Sequence, residues 1–324
     1  MSRRLTWAAT SVPTIRTQWC NALAATIHRH SQSLDQLPSA DGTTIDSNSV
    51  QQLRDKVVDA ITWVREEADA LGRAPMYWVA RDMVAVSLVA AKTLPSWSPA
   101  EAAPTPSGLL CRAKPAGVVP FGDPTTSTTN IAWDAVSWRT RPDGILELQL
   151  ASRFSKTPDL LAGYRVRTPL RAASTICLDP QITRSKEASR SEGMHPLVSV
   201  VGAAWLLMSQ PNITDTRITE PADISPPQRS GGREDADGLA REPASVSIIE
   251  LRRNLTQQKS PPGSRSDRHY RGRWMVGWPN GYWRQQRYGP GGSLRKPVLI
   301  APHTAGPKGA PLIPPNERVH LWRR

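Results

Sequence analysis

Residues 131–150, IAWDAVSWRTRPDGILELQL, decide the fold class. At their centre Arg141-Pro142-Asp143-Gly144 is a tight-turn sequence. Proline presets φ at about −65°, and Asp-Gly tolerates the reversal that follows. The flanks Ile131–Thr140 and Ile145–Leu150 are strand-like, so the stretch predicts a β-hairpin. Leu146, Leu148 and Leu150 alternate with Glu147 and Gln149, as in a sheet with one wet face. The partner strand offers either Trp133 or Trp138 to the inner face, and the pattern leaves the choice open.

Toward the N-terminus the period changes from two to 3.6. Val50, Leu53, Val57, Ile61, Val64, Ala68 and Leu71 form one apolar stripe over Ser49–Leu71, with Ser47, Asn48 or Ser49 as cap and Gly72 and Pro75 as stop. Helices are also expected over Pro13–Ser33 and from Met76 to about Thr93. Four prolines in 94–106, LPSWSPAEAAPTP, then impose a surface connector before a strand over Gly108–Arg112.

Beyond the hairpin, His195–Ser209 is apolar on all sides and predicts a helix buried at the centre of the body, ended by Gln210-Pro211. Residues 219–244 are rich in Pro, Gly, Asp, Glu and Arg and are expected to be a flexible linker. Ser245–Leu251 looks like a strand returning to the body. The expected class is α+β: a helical N-terminal third, a small and mostly antiparallel sheet with a buried central helix, and a basic β-rich C-terminal module. The expected divisions are a body over 1–218, the linker, and the module over 245–324.

Charge sharpens that division. The chain of 324 residues carries +13, and Arg252–Arg324 holds 15 basic against two acidic residues, which is the whole surplus. Residues 1–251 are neutral. A basic segment on a neutral body seeks a polyanion or an acidic peptide. Within it, Arg271, Arg273, Arg284, Arg287, Arg295 and Lys296 interleave with Trp274, Tyr282, Trp283 and Tyr288. Arginines pair with phosphates while aromatic rings stack on bases. The same set could clamp a peptide through carboxylates and apolar side chains, or simply build and solvate a small β-module. Tyr288-Gly-Pro-Gly-Gly-Ser-Leu-Arg295 lacks the spacing of a phosphate loop and is expected to be a turn, as is Pro279-Asn-Gly-Tyr282.

Signals for catalysis are weak. Cys20, Cys111 and Cys177 fit neither a disulfide framework nor a zinc spacing and suggest a reducing compartment. The six histidines form no metal motif, so no metal and no cofactor are expected. A metal-dependent nuclease would have to join Asp267 and Glu317 to Asp134, Asp143 or Glu147 of the body. No secretory signal is read, and Leu197–Met208 falls short of the ~20 apolar residues that span a bilayer. A cytoplasmic protein without a membrane partner is expected.

The stretch Asn280-Gly-Tyr-Trp-Arg-Gln-Gln-Arg-Tyr-Gly-Pro-Gly-Gly-Ser-Leu-Arg295, followed by Ile300-Ala-Pro302 and Gly306-Pro-Lys-Gly-Ala-Pro311, resembles proteins of actinobacterial genomes and mobile elements that are distant relatives of the type V-A anti-CRISPR family. Ala204-Trp-Leu-Leu-Met-Ser-Gln-Pro-Asn-Ile213 and the step at Leu94-Pro95 are similar as well. Relatives commonly carry Arg-Gly-His-Trp where this chain has Asn280, Gly281, Tyr282 and Trp283, so that corner departs from the pattern. The resemblance implies a non-enzymatic antagonist that lowers the amount of an RNA-guided nuclease by binding its newly made polypeptide. The residues alone keep two rivals: an RNA- or single-stranded-DNA-binding accessory protein of a mobile element, and the nuclease.

Overall fold

The structure is a computed structural model that describes residues 7–37, 47–121, 129–153, 169–172, 175–184, 195–219, 245–252, 274–276 and 281–306. The class is α+β. The chain divides into two compact units, each assembled from separated stretches. The first comprises Met1–Arg81, Thr105–Ile182 and Thr216–Ile249, and the second Asp82–Pro104, Thr183–Asp215 and Glu250–Arg324. Apart from Thr219, the expected linker lies outside the described residues.

The first unit is built on the predicted hairpin. Strands β5 (Ala135–Thr140) and β6 (Leu146–Ser152) pair antiparallel, from Thr140 opposite Leu146 to Ala135 opposite Ala151. The turn closes where Gly144, at φ 85°, donates its N–H to the Arg141 carbonyl at 3.0 Å. That left-handed conformation is one glycine adopts without steric cost. The Asp143 carboxylate accepts the Ile145 N–H at 3.1 Å. The expected strand over Ile131–Thr140 is interrupted at Trp133-Asp134: Thr129–Ala132 forms β4, which pairs instead with β3 (Val118–Phe121).

The sheet is larger and more mixed than its hairpin suggests. Eight strands run in the order β7 (Leu170–Arg171), β6, β5, β2 (Ser107–Arg112), β1 (Met76–Val79), β10 (Val246–Leu251) and β9 (Thr214–Ile218), with β8 (Ile176–Leu178) also on β6. Pairs on the β6 side are antiparallel, whereas β1 is parallel to both β2 and β10. Val246–Leu251, assigned by position to the basic module, therefore carries a sheet strand whose Val246, Ile248 and Ile249 are buried.

The helix expected from Met76 to Thr93 is corrected by the structure. Met76–Val79 is strand β1, and helix α3 begins only at Arg81 and ends at Ala91. Four large apolar residues behind Pro75 satisfy their backbone between two neighbouring strands, and tertiary pairing outweighs the helical period they share with the next segment.

Helices α1 (Val12–Asp35) and α2 (Ser47–Arg73) cover one face of this sheet. Val12, Ile15, Trp19 and Leu23 of α1 and Leu71 of α2 pack with Met76, Trp78, Leu109, Cys111, Ala135, Ala151, Val246 and Ile248 in one buried cluster. Alternate residues of β5 and β6 on the same side are polar. The expected wet face of the hairpin is therefore corrected as well: every residue of β6 is buried, Glu147 and Gln149 included. Register settles the choice left open between the tryptophans: Trp138 opposes Leu148 and shares the face of the leucines, while Trp133 precedes β5; both are buried. Trp138 lies over Gly108, where an added Cβ would stand 2.2 Å from the indole, and its N–H donates to the Thr105 carbonyl at 2.9 Å.

In the second unit, after the short helix α4 (Pro99–Ala102), helix α5 (His195–Met208) is buried from Val198 to Leu207, as its apolar sequence requires. Trp97 lies on Gly202 of this helix, and the Trp97 and Arg184 backbones exchange hydrogen bonds at 3.1 and 2.7 Å. Strands β12 (Tyr282–Tyr288) and β13 (Leu294–Ile300) form an antiparallel hairpin, and β11 (Trp274–Val276) pairs β14 (His303–Ala305). The hairpin turn is thus the glycine-rich Gly289–Ser293. β11 and β12, which flank Pro279-Asn280-Gly281, each pair elsewhere.

Gly108 and Gly202 each lie under a tryptophan, with an added Cβ 2.2 Å from Trp138 and 2.4 Å from Trp97. We expect Gly108→Ala and Gly202→Ala each to cost about 1–3 kcal/mol of stability through overpacking. Urea unfolding followed by tryptophan fluorescence measures this. A midpoint unchanged in both variants would mean that the rings do not close on these glycines.

Candidate functional site

The hairpin β12–β13 gathers seven of the ten residues singled out in the sequence. Tyr282, Trp283, Arg284, Arg287 and Tyr288 stand on β12, and Arg295 and Lys296 on β13. Trp274 falls on β11, and Arg271 and Arg273 lie outside the described residues.

One end of the ribbon is fixed by hydrogen bonds inside the second unit. The Trp283 indole N–H donates to the Ala90 carbonyl at the end of α3, at 3.0 Å. The Gln210 carboxamide, just past α5, accepts the Leu299 N–H at 2.9 Å and donates to the Pro297 carbonyl at 3.4 Å. Pro297, Val298 and Leu299 are buried beside it. Trp283 is thereby half-buried with its one donor engaged. Gln210 was not singled out in the sequence; its only signal was a polar residue between an apolar helix and Pro211.

The other end is exposed. Arg284, Gln285, Gln286, Arg287, Tyr288, Leu294, Arg295 and Lys296 all face solvent, and no acidic residue occurs between Gly281 and Gly306. Register fixes which side chains share a face, because directly opposed residues of an antiparallel pair project together. Arg284 opposes Val298, Gln286 opposes Lys296 and Tyr288 opposes Leu294 on one face. Arg287 opposes Arg295 on the other, two like charges placed side by side. Lys296 Nζ lies 5.4 Å from the Tyr288 ring centroid, a cation–π contact that leaves the ammonium open to solvent. Both faces are therefore cationic, and Tyr282 and Tyr288 are the aromatic rings exposed along β12.

The arginines and carboxylates of the first unit are arranged differently. Arg139 binds Glu147 at 2.8 Å and Glu66 at 3.0 Å, Arg141 binds Asp143 at 2.7 Å and Glu147 at 3.4 Å, and Arg171 reaches both Glu67 oxygens at 2.8 and 2.7 Å. Trp63 stacks on Arg139 and Arg141, and a small cavity opens among Trp63, Glu67, Arg139, Glu147, Gln149 and Thr175. The acids a nuclease would need are engaged: Glu147 and Asp143 by these guanidiniums, Asp134 by Arg153 at 3.4 Å. Asp267 and Glu317 lie outside the described residues. Among the described residues no group of three His, Cys, Asp or Glu could hold a metal ion, and no helix is long and apolar enough to cross a membrane. Cys111 is buried and its thiol is pushed far up by desolvation, so it is a poor nucleophile.

The two kinds of arginine predict opposite mutational costs. Arg139→Met leaves buried Glu147 with only the longer Arg141 contact and should destabilise the protein by about 3 kcal/mol. Arg287→Ala should change stability by less than about 0.5 kcal/mol or raise it slightly, since it relieves repulsion from Arg295. Chemical denaturation of both variants checks the contrast. Burial raises Glu67 above its ordinary 4.5 against the pull of Arg171 and Arg139. Its contribution to stability is complete below 4.5 and is lost as pH rises through the raised value. Glu67→Gln should flatten the fall of stability with pH just above that point, and an unchanged pH profile would show that Glu67 titrates normally.

Compared with protein-family models, with curated proteins and with solved structures, the chain matches none.

Proposed function

We infer that this chain is a recognition protein of the mobile-element type it resembles, and that the β12–β13 ribbon binds the phosphodiester backbone of nucleic acid. The observation that carries the reading is the Arg287–Arg295 pair on an exposed, acid-free ribbon. Directly opposed like charges weaken a hairpin. An anion that binds between them removes that cost, and a phosphate accepts from two guanidiniums at once. With Arg284 and Lys296 on the opposite face, the ribbon meets phosphates on both sides, as a two-stranded ribbon does inside a groove or along a wrapped single strand. Tyr282 and Tyr288 supply rings on which unpaired bases can stack.

Peptide recognition, which the anti-CRISPR resemblance implies, needs apolar pockets for side chains. The indole nearest this role, Trp283, has its N–H engaged with Ala90 and is half-buried. The ribbon therefore fits nucleic acid better, and binding of a newly made polypeptide is an outcome the test can return.

The test is fluorescence anisotropy of the full chain with labelled single-stranded RNA, single-stranded DNA and duplex DNA across a salt series. Four phosphate contacts on a single strand predict a slope of about −3 in log affinity against log salt, or roughly fifty-fold weaker binding between 50 and 200 mM. Arg284→Ala/Arg287→Ala/Arg295→Ala/Lys296→Ala should remain folded and lose this binding. Salt-insensitive capture of a newly made polypeptide, undiminished in the quadruple variant, would overturn the reading. So would nucleic-acid binding that the variant retains.

A further inference from the structure

One wholly buried arginine belongs neither to the ion-pair network nor to the ribbon. Arg112, the last residue of β2, is wholly buried, and its Nε, Nη1 and Nη2 all lack an acceptor. Its guanidinium carbon lies 4.5 Å from the ring centroid of Trp133. Trp133 is also wholly buried, and its indole N–H is likewise without an acceptor. Stacking engages the face of a guanidinium and leaves its edge, where the five N–H bonds point, unsatisfied.

Among the described residues the surroundings do not supply the missing acceptor. Asp134 is held by Arg153, whose Nε lies 3.4 Å from Oδ1 and whose backbone N–H donates to Oδ2 at 3.0 Å. The Arg112 carbonyl accepts from Arg153 Nη2 at 2.6 Å, which ties the two strand ends together without touching the Arg112 guanidinium. Arg153 is itself stacked on Trp7, at 5.3 Å. That carboxylate is therefore already engaged by Arg153. Burial draws Arg112 down to about 9, so it keeps its proton and its charge at neutral pH. A buried, charged donor set with no acceptor is the arrangement proteins most consistently avoid.

Position adds a second argument. Arg112 stands opposite Val79 where β2 and β1 run parallel, and each is the last residue of its strand. In sheets with crossover connections, the carboxyl ends of parallel strands are where ligands bind.

We propose that Arg112, held flat by Trp133, anchors a buried site for a small oxyanion, a carboxylate or phosphate group that accepts from the guanidinium edge. The planar fork of the guanidinium matches two oxygens of either group, and one such anion supplies the negative charge that Asp134 does not. Complete burial of the donors limits the ligand to a small anion or to the exposed end of a slender molecule. The site is separate from the ribbon, which is open and offers several cations in place of one enclosed fork.

The experiment is thermal unfolding of the full chain at constant ionic strength, with chloride replaced stepwise by inorganic phosphate in one arm and acetate in the other. The expected result is a saturable rise in the wild-type Tm, roughly 5 °C at a hundred times the dissociation constant, in at least one arm. Arg112→Met should show no such rise. In chloride alone it should melt no lower than wild type, because the substitution removes an unpaired buried charge. Arg284→Ala/Arg287→Ala should keep the full response, which separates this site from the ribbon. If Arg112→Met fails to fold, Arg112→Lys should fold and respond more weakly. In the wild type the Arg112 side-chain Nε–H resonance should then shift on adding the responding anion. Equal responses in wild type and the folded Arg112 variant, no response in either arm, or an unmoved Nε–H resonance would overturn the proposal.

Discussion

Strand β1 is only four residues long, yet its parallel pairing with β2 and β10 constrains the whole chain. Antiparallel neighbours can be joined by a two-residue turn, but parallel neighbours require the chain to travel back along the sheet before it pairs again. The connection from β1 to β2 uses Asp82–Pro104 for that journey, and the return toward β10 passes through Thr183–Asp215. Neither excursion stays in the first unit. Both enter the second, where they contribute α3, Trp97 and α5. The chain between the parallel pair β1 and β2 thus runs out of the first unit and through the second before it pairs again.

That plan also explains how a basic, glycine-rich C-terminal segment acquires a fixed ribbon. An isolated two-stranded hairpin is marginal in water. Here its base is held by Gln210 beyond α5 and by the Ala90 carbonyl at the end of α3, both on stretches of the second unit that lie between strands of the first. With the base held, the tip can carry opposed arginines that would otherwise push the strands apart.

Legibility in the sequence followed the range of the interactions. The turn at Arg141–Gly144, the apolar stripe of α2 and the all-apolar α5 were readable because turn chemistry and hydrophobic period are local. Met76–Val79 was misread as helix, since a four-residue strand has no period of its own and is defined by neighbours 33 and 170 residues from Met76 in register, Leu109 and Val246. The polar face of β6 was misread as wet because alternation reports polarity, while burial there depends on Arg139, Arg141 and Arg171 meeting Glu147, Glu66 and Glu67 across elements. The ribbon was legible as composition, and its charges as a group, but not the pairing that sets Arg287 against Arg295. Arg112 carried no signal, because a single arginine ending an apolar strand looks like a solvent-facing terminus.

The arginines therefore have to be sorted by partner, since their number reflects composition more than role. Arg139, Arg141, Arg153 and Arg171 face carboxylates, and their removal would leave acids stranded; they hold α2 and the strand ends on the sheet. The ribbon cations face water, lose little on folding, and keep their full charge for a partner arriving from solution. Arg112 is the third case, enclosed like the first group and unpaired like the second. For a charge in water the absence of a partner is inexpensive, but for one inside the fold it is severe, because the interior offers no hydration to replace the missing acceptor. The same absence therefore means availability on the ribbon and incompleteness at Arg112, and burial is the quantity that separates the two.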